Sequence, residues 1–181
     1  MSKDIQRNFV FKNVMAYRIG PNWNATVPEI EAALSANRFT ECTPGQDKSV
    51  GWTEPRNVAN GPLLESIGGE WIAKLLIETK AVPSSVVKRK AELQAQEIEA
   101  QTGRKPGKKE TREMREDILH SLLPQAFAKQ GAVMVWINAK DRLLAIDAGS
   151  TGKADEVITQ LVRALPGLDL NLLQTATSPQ T

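Results

Sequence analysis

The chain has one cysteine, Cys42, one histidine, His120, and one tyrosine among its 181 residues. A lone cysteine closes no internal disulfide, and a cysteine with a single histidine falls short of a zinc ligand set. No apolar run reaches the length that crosses a bilayer. The opening MSKDIQRNFVFKN carries charges where a secretory signal needs its apolar segment, so the expected location is cytoplasmic, with no membrane association. Charge of one sign is also lacking. Lys and Arg total 23 against 21 Asp and Glu, a net +2, too mild to mark nucleic-acid binding as a global property. No GxxxxGK[ST] phosphate loop occurs, and no nucleophile signature surrounds Cys42, which leaves a grouping of Cys42 and His120 with Asp47 or Asp147 poorly supported. Glu116 and Asp117 are adjacent and face different directions, which does not suit a two-metal nuclease. These absences argue against an enzyme, and no cofactor or metal is expected.

What is present is a chain 41% hydrophobic and 24% charged, enough to bury a core. Phe9, Phe11, Met15, Tyr17 and Ile19 share one parity, which predicts a strand from Phe9 to Ile19. Thr26 as N-cap and Pro28 in the first turn predict a helix from Val27 to Asn37. Residues 43–62 are rich in Gly and Pro and predict a loop with a short strand near Trp52. Gly68-Gly69 between β-prone runs predicts a hairpin of Leu63–Ile67 with Trp71–Val82. Residues 84–101 and a segment restarting near Lys108 predict two helices, separated by Gly103, Pro106 and Gly107, with Pro124 ending or kinking the second. A second hairpin is expected from Met134–Asn138 and Leu143–Asp147, then a helix over 151–165 and a strand near 168–173. The expected class is α+β: antiparallel hairpins packed with helices, plus a projecting antiparallel helical hairpin. The expected regions are an α+β part over 1–82, the hairpin arm over 83–130, a ββαβ part over 131–175 and a frayed tail over 176–181.

The hairpin turn is where charge concentrates. Arg104, Lys105, Lys108, Lys109, Arg112 and Arg115 outnumber Glu110 and Glu113 by four, and Lys88, Arg89 and Lys90 form a second cluster. Most such runs are solvated surface, but a cationic elbow is also a phosphate-binding feature that needs no base readout. Trp71 and Trp136 read as core, Trp52 as either core or a stacking surface, and Gln46-Asp47-Lys48 as turn-shaping residues.

FKNVMAYRI, GQDKSVGWTEP at 45–55, LHSLLPQAF at 119–127 and MVWIN at 134–138 together resemble the recombination-associated protein RdgC family of bacteria, in order and spacing across nearly the whole chain. The resemblance implies a nucleoid-associated, double-stranded DNA-binding protein with little sequence preference. It further implies a homodimer that encircles or clamps duplex and restrains RecA-dependent recombination. It places Phe127 at a subunit contact, against the ordinary alternative of a core aromatic. Members of the family are longer, which implies that this chain is a fragment, and MSKDIQRN is a longer leader than is usual. On this basis the candidate DNA contacts are Arg104, Lys105, Lys108 and Lys109, then Lys88, Arg89, Lys90 and Arg112. The competing expectation is a non-catalytic scaffold whose helical hairpin docks a partner protein.

Overall fold

The computed structural model describes residues 11–173. The elements are β1 (Val14–Ile19), α1 (Val27–Ala36), β2 (Lys48–Thr53), β3 (Leu64–Ile67), β4 (Glu70–Lys80), α2 (Ser84–Thr102), α3 (Lys108–Leu122), β5 (Ala128–Asn138), β6 (Leu143–Asp147), α4 (Thr151–Ala164) and β7 (Leu170–Leu172). The strands follow the order β2-β4-β5-β6-β1-β7, with β3 also paired to β4. The class is α+β, as expected. Chain contacts divide the molecule into two units. One holds the described parts of Met1–Thr40, Val50–Leu76 and Gly131–Thr181, the other Glu41–Ser49 and Ile77–Gln130.

In the first unit, β1 pairs antiparallel with β6, Tyr17 opposite Leu144, and with β7, Tyr17 opposite Leu172. Odd-numbered Tyr17 and Ile19 are buried while Val14 and Arg18 are exposed, which is the parity read from the sequence. The strand is shorter than expected: it begins at Val14, residues 12 and 13 form a bend, and Phe9 lies outside the described residues. Gly68 and Gly69, at φ 61° and 88°, form the two-residue turn that sets Ile67 opposite Glu70. Positive φ at both central positions is the condition for a tight hairpin of this kind, and it suits glycine. α1 is capped as its sequence predicts, the Thr26 N–H and hydroxyl each donating to a Glu29 carboxylate oxygen at 2.7 Å. It packs on β3 and α4 and buries Ile30 and Leu34 completely.

The GQDKSVGWTEP stretch acquires a reason here. The segment Asn37–Phe39 lies alongside β2, with the Phe39 N–H donating to the Trp52 carbonyl and the Trp52 N–H to the Asn37 carbonyl, both at 2.9 Å. A Cβ on Gly51 would stand 2.4 Å from the Phe39 Cα and 2.5 Å from its nitrogen. Only glycine admits that approach. Gly51→Ala is expected to cost about 3 kcal/mol, at the upper end for overpacking because backbone cannot rotate aside. Thermal unfolding should fall by roughly 6–12 °C for a chain of this size.

Glu54 follows in the same stretch. It accepts from the Arg38 guanidinium at 2.8 Å and from the Asn60 N–H at 3.1 Å. Chiefly because of Arg38, its carboxyl is held down at about 2. In the unfolded chain it titrates near about 4.3. The folded value is the lower, so this stabilisation is complete above the unfolded value and lost as pH falls toward 2. The difference in unfolding temperature between the wild type and Glu54→Gln should therefore shrink steadily as pH falls from about 5 to about 2.

Candidate nucleic-acid interface

The second unit contains both helices of the predicted hairpin. α2 ends because Gly103 adopts φ 70°, its N–H donating to the Glu99 carbonyl at 2.8 Å. α3 starts where the Gly107 N–H donates to Glu110 Oε2 at 3.3 Å. A five-residue connection between two contacting helices makes them antiparallel neighbours. Few positions hold the pair together: Ala91 on α2, and Met114 and Ile118 on α3, are buried. The remaining surface of α2 is largely exposed, as its thin apolar stripe predicts.

The cations of the turn are exposed but mostly not free. Arg104 forks onto Glu110, at 2.9 and 3.4 Å, so one arginine both closes the elbow and satisfies the helix-starting carboxylate. That guanidinium, with the Gly107 N–H, holds the Glu110 carboxyl below the usual range. Lys105 lies 3.9 Å from Glu99, and Lys109 lies 3.7 Å from Glu113. Among the described residues Lys108 forms no ion pair. Exposed pairs like these are weak, so a phosphate can displace the carboxylate at little cost.

The two basic clusters read from the sequence meet only in part. Lys88, Arg89 and Lys90 lie in the first half of α2, roughly 20 Å along the helix from Gly103. Lys88 instead joins Lys108, Arg112 and Arg115 around a groove of about 1010 Å³ within this unit. Arg112 there pairs with Glu116 at 2.9 Å and Lys88 with Glu92 at 3.9 Å. Helical spacing carried the signal for this grouping: residues 108, 112, 115 and 119 follow steps of four, three and four.

Phe127 lies beyond a short 3₁₀ turn at Leu123–Gln125 and immediately before β5. Leu123 is buried, whereas Phe127 is 95% exposed, which rules out its reading as a core aromatic. Trp52 is fully buried and cannot stack on a base, and its indole N–H has no partner among the described residues. Trp71 and Trp136 are half-buried rather than core, the Trp136 indole donating to Glu70. Gln46 shapes a turn: its side chain accepts from the Thr43 N–H at 3.2 Å and donates to the Lys48 carbonyl at 2.7 Å.

Sequence reading missed Glu78, which is buried and accepts from the Cys42 N–H and from Gln130, both at 2.7 Å. Nothing in the spacing of LLIETK marks it out. The Gln130 hydrogen bond, then that of Cys42, holds its carboxyl below the usual range. Burial, and the neighbouring Glu78, push the Cys42 thiol up. A reactive cysteine needs the reverse shift. Among the described residues no group of three or more His, Cys, Asp or Glu could hold a metal ion, and no helix is long and apolar enough to cross a membrane.

An α+β protein with a cationic helical hairpin and an exposed aromatic beside it is the class these features define. A family model described as "Putative exonuclease, RdgC" matches residues 9–181. Recombination-associated protein RdgC of Dechloromonas aromatica is 38% identical over 170 residues, covering 94% of this chain and 55% of that protein. Its namesakes in Cupriavidus necator and Bordetella pertussis are 38% and 37% identical over 169 residues, each covering 93% of this chain and 56% of theirs. The chain belongs to the RdgC family, and it spans a little over half the length of these curated relatives.

Proposed function

We propose that this chain belongs to a protein that binds duplex DNA without sequence preference and acts as a homodimer in the cytoplasm, associated with the nucleoid. The observation that carries the reading is the elbow. Arg104, Lys105 and Lys109 hold side chains 62%, 80% and 90% exposed at one hairpin end, with Lys108 between them. Cations so placed displace condensed counterions from phosphate, which gives affinity independent of base identity. Phe127, exposed and apolar, is the contact proposed between subunits. The relatives are named for an association with recombination. Occupancy of duplex by a clamping dimer would deny it to RecA, which is how restraint of recombination is proposed to arise.

The family description also names an exonuclease. Glu99, Glu110 and Glu113, the carboxylates paired with elbow cations, are engaged by Lys105, Arg104 and Lys109. The proposal is binding without turnover. Titrating salt against a labelled random-sequence duplex tests it. Affinity should fall steeply with salt and be indifferent to sequence. Absence of binding at low salt would refute the reading.

A further inference from the structure

The groove of the second unit combines two properties that phosphate binding does not need together. Along α3 it carries Lys108, Arg112 and Arg115, with Leu119 one turn further on, about 16 Å from first to last. Val82, Val87 and Pro106 line it as well, half-buried, and no aromatic residue is present. Its charge is lopsided: four cations against Glu116, with Lys108 and Arg115 in no ion pair among the described residues. Its volume, about 1010 Å³, is at the upper end for small-molecule pockets, and three helical turns of length suit a chain segment better.

We infer that this groove docks an acidic amphipathic helix of a partner protein, its apolar side chains on Val82, Val87 and Leu119 and its carboxylates on Lys108, Arg112 and Arg115. Charge complementarity selects the occupant. A nucleic-acid backbone would use the cations but leave the aliphatic lining idle, and single strands are held by stacking on aromatics, which the groove lacks. A peptide with one apolar and one acidic face uses both, in the manner of a helix laid in a groove. This site meets the elbow at Pro106 and Lys108 but is otherwise separate from it, since Arg104, Lys105 and Lys109 do not line it.

The test uses the full chain and a fluorescein-labelled helical peptide with Leu and Phe on one face and Glu on the other, read by anisotropy. Leu119 is 37% exposed and uncharged, so Leu119→Ser should keep the helical circular dichroism intact. It should weaken the peptide about ten-fold or more, as expected of an apolar anchor, and leave duplex affinity unchanged. Leu119→Met should restore peptide binding, and Arg115→Gln should weaken it with a shallower salt dependence. Lys105→Gln with Lys109→Gln should lower duplex affinity and spare the peptide, so the two readings fail separately. No peptide binding at low salt, or equal binding by wild type and Leu119→Ser, would overturn the inference. Displacement of the peptide by duplex, with Leu119→Ser weakening both alike, would make the groove a nucleic-acid surface and overturn it too.

Discussion

Replacing Arg104, Lys105, Lys108 and Lys109 together by glutamine is expected to flatten the slope of log affinity against log salt for random duplex by up to about 3.6, at roughly 0.9 per phosphate contact. Four such contacts amount to about a hundred-fold in affinity across a four-fold rise in salt. The three ion pairs of the elbow reduce this somewhat, because the unbound wild type already spends part of its charge on Glu99, Glu110 and Glu113. Pairs this exposed are weak, so the cost of exchange is small. The single variants should not be equal. Lys108→Gln removes a cation with no carboxylate to leave and should cost more than Lys109→Gln, whose side chain has Glu113 at 3.7 Å. Arg104→Gln has a second consequence, because the fork onto Glu110 closes the turn; a small loss of helix content should accompany it. An unchanged salt slope in the quadruple variant, measured by anisotropy, would show that the elbow does not meet phosphate.

Phe127→Ala is expected to weaken self-association by roughly ten- to a hundred-fold, the equivalent of about 1.5–3 kcal/mol for burying an aromatic side chain at a contact. The same change should leave thermal stability within about 0.5 kcal/mol, since a side chain 95% exposed has no intramolecular packing to lose. That dissociation of effects distinguishes an interface anchor from a core residue. Sedimentation across a concentration series reads the first, and thermal unfolding at high dilution reads the second. Self-association equal to that of the wild type would remove Phe127 from the contact, whatever the duplex affinity proved to be.

Much of the fold was legible because its signals are local. Period-two burial placed β1, two positive-φ glycines placed the β3–β4 turn, and the Gly103-to-Gly107 interruption placed the helical hairpin. Local signals also overreached, as in the strand read from Phe9 that begins at Val14. The cationic character of the elbow was equally plain, being a matter of composition.

The neighbours of each charge were not plain. Arg104 and Glu110 are six residues apart, and only the turn geometry brings them to 2.9 Å. Gly51 needs to be glycine because of Phe39, and Glu78 is held by Cys42 and Gln130, contacts made across long stretches of chain. Sequence alone thus determined the elements, the class and where positive charge gathers, since these follow from propensity, periodicity and composition within a few residues. Tertiary structure decided which cations are already paired, that Phe127 faces solvent, and that Lys88 meets Arg112 and Arg115 around one groove. Those outcomes depend on distances between residues remote in the chain, and only the packing of helix on helix and strand on strand sets such distances.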